Sequence, residues 1–510
     1  MRLVTTLLFG LLLTACKPAV EVEVVAEKGP LDSGIKHMVL IAIDTVRADT
    51  FFAPDEHNFK DRLSPWLESA RVYTQAQSVS PWTIPTVATV LTGYLPNQHG
   101  AGSFPTALAN LDLQTPTAIH SSVKTLPERL SEVGFRARAA SSHPWLSVKF
   151  GLQRGFRNVT LIQSREEIDA WFKSFVGNWQ ASKINQRNFA YLHYMEAHQR
   201  HTSKFKNGAF AELTNEQIQR GLDWSKLDAC KRGTERKICQ QYIVYTNAVL
   251  DLRDSIANTL EVLETNDFLK DTLVVIYSDH GEEFHDHWAE ATADDTDPRG
   301  LHGFGHGNSM YQELLRVPLL IWNPADNKGR VVDNPVSLVD IVPSALNWLN
   351  VDIGEDKLTG LLFDDAEKLS ERAVFASHMA YGPEQVAVRK GSKKSIWNTV
   401  NDSLRYFDLV VDQNEKKPIE SDGLVMLFDQ LNYDYFEMSS NGVGVQPEIN
   451  EEQLAHLKAI GYLQGAESNN NSVETTPGPA LDLSDISNAG AVEQTETIEE
   501  EDNDDDKNHE

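Results

Sequence analysis

Four stretches of this 510-residue chain carry residue types that can do chemistry together. An apolar run at residues 38–43 (MVLIAI) ends in Asp44-Thr45. Residues 80–86 read Ser-Pro-Trp-Thr-Ile-Pro-Thr and open a helical pattern. A strand-like run at 189–194 is followed by Met195-Glu196-Ala197-His198. The run TLVVIY at 272–277 ends in Ser278-Asp279-His280-Gly281-Glu282-Glu283, with Gly305-His306-Gly307 and Arg316-Val317-Pro318 downstream. Carboxylates with an imidazole suit a divalent cation. Asp44, Asp279 and His280 all follow strand ends, where a parallel sheet would gather them. Thr83 stands near a helix start, facing the positive end of the dipole and free backbone N–H groups, a setting that suits an anionic ester and an ionised nucleophile. An ion touching Thr83 would lower its pKa and neutralise the substrate. Singly these signals are weak, because an isolated threonine at a helix start is usually an N-cap. Their conjunction points to metal-assisted ester chemistry.

The elements that must position these groups alternate. Strands are predicted at 38–43, 135–140, 189–194, 272–277 and 317–322, and helices at 81–91, 126–133 and 242–264. Polar clusters at strand ends and helices in between predict an α/β fold with its site at the carboxyl edge of a helix-flanked sheet. From about residue 371 the pattern changes to short strands (AVFAS, VAVRK, KSIWN, RYFDLV), predicting a smaller C-terminal α+β subdomain. A last helix is expected at 453–463. The expected divisions are 1–15, 16–35, 36–370, 371–465 and 466–510: a leader, a linker, the catalytic domain, the subdomain and an acidic disordered tail.

Composition bounds the partners. The hydrophobic share of 41% is globular, and a net charge of −28 argues against nucleic acid, which needs a basic patch. Residues 493–510 hold ten acidic residues and one lysine, the signature of a solvated tail. At the other end Arg2 precedes an apolar run, residues 3–13, too short to span a bilayer. Leu13-Thr14-Ala15-Cys16 follows and resembles a bacterial lipobox. Cleavage before Cys16 would leave a cysteine for acylation, so an exported lipoprotein on the periplasmic side of a membrane or at the cell surface is expected, anchored through its N-terminal lipid. Cys230 and Cys239 are spaced for a bridge closing a short loop in an oxidising compartment.

Together the motifs resemble the sulfatase family of the alkaline-phosphatase superfamily. That family runs a [Cys/Ser]-x-Pro-x-Arg pattern into a helix and then Leu-Thr-Gly-x-x-Pro-x-x-His-Gly. Here Thr83-Ile84-Pro85-Thr86-Val87 occupies the first part and residues 91–100 match the second. Ser-Asp-His-Gly-Glu resembles the family's second metal motif. The resemblance covers residues 36 to about 463. It implies Asp44, Asp279 and His280 as metal ligands, with Thr83 as both nucleophile and ligand. It implies His198 near the leaving group and His306 on the anionic oxygens. One divalent ion is implied, calcium first, with zinc, magnesium or manganese as alternatives. A second ion could draw on His285, His287, His302 and His306.

Departures from the family pattern bear on mechanism. Thr45 stands where a second aspartate is usual, and would touch the ion or support its ligands. Val87 replaces the motif arginine, and the family's Lys-Trp-His segment is replaced near Ser141-Ser142-His143. Thr83 is neither Cys nor Ser, so no formylglycine is expected. The expected function is hydrolysis of a sulfate or phosphate ester, on a glycan or lipid, by attack of Thr83. The alternatives are a phospho-group transferase or phosphodiesterase of the same superfamily, and a non-catalytic lipoprotein that binds sulfated glycans.

Overall fold

Near-continuous apolar runs can only be buried on both faces, and three of them, at 38–43, 272–277 and 317–322, lie side by side in the middle of one mixed sheet. A computed structural model describes residues 34–56, 61–104, 108–110, 115–147, 149–181, 186–198, 236–294, 297–326, 328–438, 446 and 451. Among these the main sheet has nine strands. Its order is Arg330–Val332, Arg71–Gln77, Arg316–Trp322, Thr272–Tyr277, His37–Ile43, Arg187–Tyr194, Phe135–Ser141 and Asn158–Leu161, with Val336–Ser337 also paired to Arg71–Gln77. His37–Ile43 is parallel to both neighbours, and Phe135–Ser141 is parallel to Arg187–Tyr194. Arg316–Trp322 runs antiparallel to both of its neighbours.

Two apolar layers sandwich the sheet. Leu40 and Ala42 face Thr83–Thr92, Leu126–Glu132 and Ile341–Trp348, whereas Val39, Ile41 and Ile43 face Arg165–Ala181 and Arg236–Thr265. This is the α/β architecture expected. Each side chain of His37–Ile43 is buried, so truncating Ile41 to alanine should cost about 2–5 kcal/mol. A second, four-stranded antiparallel sheet holds Ala373–Ala376, Gln385–Lys390, Lys393–Asn398 and Ser403–Asp408, the expected C-terminal subdomain. Its last described helix, Asp422–Glu437, had no counterpart in the sequence reading. Strand Arg71–Gln77 and helix Arg165–Ala181 were likewise not anticipated.

One boundary differs with consequence. The helix expected from residue 81 begins at Thr83, because Trp82 is fully extended (φ −159°, ψ 170°). Pro85 then sits in the first turn, where a missing N–H costs nothing. No helix of the described residues is long and apolar enough to cross a membrane. The leader, Cys16, Cys230, the 453–463 helix and the acidic tail lie outside the described residues, so the expected Cys230–Cys239 bridge does too.

Candidate active site

Strand register assembles the site. Ala42 lies level with both His193 and Tyr277, and Ser141 is level with His193 on its other side. The residues just past these strand ends therefore arrive at one edge: Asp44, Asp279-His280 and His143, with His193 still on its strand. All five are buried. Ligand atoms of Asp44, His193 and Asp279 lie within 4.8 Å of one another. His193 Nε2 is 3.2 Å from Asp44 Oδ2. His280 Nε2 is 3.6 Å from Asp44 Oδ1 and 3.5 Å from Asp279 Oδ2.

The turns that carry these groups are tied together. Thr45 has a positive φ of 59°, uncommon for a β-branched residue and the kind of strain that functional turns store. That turn sends its N–H to Asp279 Oδ1 (3.3 Å). Its hydroxyl donates to the Asp44 carbonyl (2.8 Å), so Thr45 supports the aspartates through its backbone. Tyr245, on the long helix, accepts from the Arg47 N–H and donates to the Thr45 carbonyl. The Ser278 hydroxyl accepts from the Val46 N–H and donates to the His280 carbonyl. At Gly281 any Cβ would meet the Glu313 carbonyl at 1.8 Å, which explains the glycine in Ser-Asp-His-Gly-Glu.

Thr83 is the first residue of its helix, with the extended Trp82 as the cap position. Its Oγ1 is buried and lies 3.3 Å from His280 Nε2. The His306 ring packs at a tilt against His280 (ring centroids 4.5 Å apart) and His198 (5.0 Å). Its Nδ1 lies 3.2 and 3.3 Å from the two oxygens of Glu282, so Nδ1–H donates to that carboxylate. Gly307 beside it has φ +81°, and a Cβ there would press on Ala380 at 2.7 Å. Of the other histidines considered for a second ion, His287 belongs to a separate buried group with Glu283 and Glu313.

Electrostatics fit a cation. Burial, with Asp279 and Glu282 nearby, pushes the Asp44 carboxyl well above its usual range. Burial raises Asp279 too, against His193. Burial lowers His193 and His280 to about 4, and holds His143 well below 6.5 with help from the neighbouring imidazoles. The imidazoles are thus neutral, and none balances the aspartates. Asp44 Oδ1 and Asp279 Oδ2 are buried without a hydrogen bond. Two such carboxylates facing neutral nitrogens suit a divalent ion, which would supply the missing charge. Arg47 and Arg299 are committed elsewhere, to Asp49 and Asp286 and to Asp297 respectively.

Sequence reasoning had named Asp44, Thr83, His198, Asp279, His280 and His306, and the structure brings them to one edge of the sheet. It had missed His193. The signal was there: an imidazole inside an otherwise apolar strand, level with the residues that precede Asp44 and Asp279. Nor did it anticipate His378, whose backbone carbonyl receives the Ser80 hydroxyl (2.9 Å) and the Trp82 indole N–H (2.7 Å) and fixes the entry to the Thr83 helix.

Comparison with known proteins bears on the family and the fold. The family model for Sulfatase matches residues 36–351. An arylsulfatase of Clostridium perfringens is 24% identical over 179 residues, 34% of each chain. Arylsulfatase K of Gallus gallus is 31% identical over 112 residues, 21% of this chain and 18% of that one. The chain thus spans about a third or less of these relatives' length. Among solved structures, one determined in complex with its substrate D-glucosamine-2-N,6-O-disulfate superposes with a TM-score of 0.56 at 16% identity, covering 79% of this chain and 98% of that one. The phosphonate monoester hydrolase of Agrobacterium radiobacter gives a TM-score of 0.55 at 14% identity, covering 79% and 94%. By its matched domain and its fold, the chain belongs to the sulfatase family of the alkaline-phosphatase superfamily.

Proposed function

We propose that the protein hydrolyses a sulfate or phosphate ester with Thr83 as the attacking group. The observation that carries this is the Thr83 hydroxyl at a helix start, 3.3 Å from His280 Nε2 and beside two buried aspartates. The Thr83 and Ile84 backbone N–H groups stand at the positive end of the helix and can bind ester oxygens. Asp44, Asp279 and His280 would hold the divalent ion, whose chemistry is to polarise the ester and stabilise charge on the attacking oxygen. His198 would protonate the leaving oxygen. His306 has Nδ1 committed to Glu282, so it binds an anionic oxygen through Nε2 only as an imidazolium; neutral, it accepts a proton.

Threonine favours phosphorus. An adduct on Thr83 lacks the aldehyde route by which a formylglycine hydrate expels sulfate, so water must attack the sulfur or phosphorus itself. The family match and the sulfated ligand named for a structural neighbour support sulfate esters, and the phosphonate hydrolase neighbour has the same fold. We place the enzyme outside the cytoplasm, held by lipid on Cys16. The test is turnover of 4-nitrophenyl sulfate, 4-nitrophenyl phosphate and bis(4-nitrophenyl) phosphate by the wild type and Thr83→Ala. A loss of about 1,000-fold or more in kcat on the best substrate is expected. Near-normal turnover by folded Thr83→Ala would overturn the mechanism.

A further inference from the structure

We infer that His193 is a direct ligand of the ion, giving a set of two carboxylates and two imidazoles (Asp44, Asp279, His193, His280) that selects zinc or a similar late first-row ion over calcium. This rests on the proposal that the site holds a divalent cation, and it adds a residue and an ion preference to it.

Hydrogen bonds sort the three imidazoles. His280 Nδ1 lies 2.9 Å from the Gly281 carbonyl. A carbonyl only accepts, so Nδ1 carries the proton and Nε2 presents a lone pair towards Asp44 Oδ1 and Asp279 Oδ2. Three acceptor atoms facing one another in a dry site need a cation between them. His143 is fixed the other way. The Trp145 N–H donates to its Nδ1 (3.1 Å), so Nε2–H points at Asp44 Oδ2, 3.5 Å away. His143 therefore orients Asp44 and is not a ligand. His193 has Nδ1 3.0 Å from the Tyr191 hydroxyl, which lies 3.2 Å from the Tyr277 hydroxyl. In the tautomer in which His193 Nδ1–H donates to Tyr191 and Tyr191 to Tyr277, His193 Nε2 carries a lone pair 3.2 Å from Asp44 Oδ2. Ligating histidines characteristically donate their second N–H in this way.

Spacing and chemistry agree. A four-coordinate ion with bonds of about 2.0–2.1 Å holds its ligand atoms roughly 3.3–3.4 Å apart. His280 Nε2 lies 3.6 Å from Asp44 Oδ1 and 3.5 Å from Asp279 Oδ2, and His193 Nε2 lies 3.2 Å from the other Asp44 oxygen. Calcium instead takes six to eight oxygens, and Thr45, next to Asp44, gives its hydroxyl to a backbone carbonyl. Paired imidazoles favour zinc and its neighbours.

The full chain, stripped with a chelator, is titrated by calorimetry with Zn²⁺, Co²⁺ and Ca²⁺ separately. Zinc should bind at least about 100-fold more tightly than calcium. X-ray absorption at the zinc edge of the unmutated protein should fit two imidazoles, a measurement that does not depend on any variant folding. His193→Ala should weaken Co²⁺ binding by more than about 100-fold and alter its visible spectrum, whereas His143→Ala should lose only about 10- to 100-fold and keep the spectrum. Preference for calcium, a single imidazole at the zinc edge, or an unchanged Co²⁺ spectrum in His193→Ala would overturn the inference. Zinc held by two imidazoles in a protein that cleaves no ester would leave it standing and sink the hydrolase proposal. Ester hydrolysis with calcium would do the reverse.

Discussion

His287 should make the protein lose stability in mild alkali. Its Nε2 donates to the Glu415 carbonyl (3.2 Å), and its Nδ1 lies 2.6 Å from Glu313 Oε1. Both nitrogens therefore carry protons, and the ring stacks on Tyr311 with centroids 3.4 Å apart. Burial pulls its pKa down, but the Glu313 carboxylate, with Glu283, more than offsets this and raises it to about 9. A group whose folded pKa is raised stabilises fully below its unfolded value and loses that contribution as pH climbs through the folded one. The window is thus pH 6.5 to 9. At roughly 1.4 kcal/mol per unit, His287 contributes about 3 kcal/mol at pH 6 that is gone by about pH 10. Glu283, raised to about 8 by burial and Glu313, loses stability in the same direction as pH rises, so wild type alone cannot isolate the histidine. The assay is denaturant unfolding of wild type and His287→Gln from pH 6 to 10. The gap between them should be widest at pH 6 and narrow by about 3 kcal/mol. Parallel curves would refute the imidazolium assignment.

Asp279→Ala should abolish stoichiometric metal binding, measured by elemental analysis, and turnover with it; retained metal and activity would remove Asp279 from the site. Thr83→Ser should keep activity within about 100-fold of wild type, since it preserves the hydroxyl. A chain ending at residue 465 should match the full chain in turnover and melting temperature, because the tail lacks the apolar content to offset ordering. Mass spectrometry of the native N-terminal peptide should find acylated Cys16; an unmodified cysteine or cleavage elsewhere rejects the anchor.

What was legible in the sequence follows from how side chains are buried. Strands such as Thr272–Tyr277, apolar on both faces, are visible as uninterrupted runs, and the residue after each is marked by being polar. Arg71–Gln77 (RVYTQAQ) was missed because it mixes polar residues with apolar ones, although most of it is buried. Helix Arg165–Ala181 was legible in principle: Ile168, Phe172, Phe175, Val176 and Trp179 recur with helical spacing and form its buried face. Helix Asp422–Glu437 buries only Phe428, Asn432 and Tyr435, and so carries a faint stripe. Contacts between distant segments leave no local trace. Nothing in the sequence around His378 announces that its carbonyl is needed by Ser80 and Trp82.

That last contact changes how the long motif around Thr83 is understood. Most of it never touches the reacting groups; it immobilises the helix that carries one hydroxyl. The Ala101 N–H donates to His99 Nδ1, so His99 Nε2–H reaches the Pro85 carbonyl (3.2 Å) and Thr89 Oγ1 (3.0 Å). Burial holds His99 down at about 3, which keeps this bridge neutral at any working pH. Ser78 Oγ ties the segment before the helix to the Asp279 carbonyl (2.5 Å) and lies 3.1 Å from Thr86 Oγ1. The His378 carbonyl holds Ser80 and Trp82 from the side of the C-terminal subdomain. Thr83 is thereby fixed from three directions relative to Asp279-His280, and an attacking atom so fixed gives up little further entropy on reaction. The histidine of the Leu-Thr-Gly…His-Gly phrase thus serves as a strut, and the subdomain beyond residue 371, which supplies none of the candidate site residues named here, still helps to place the threonine.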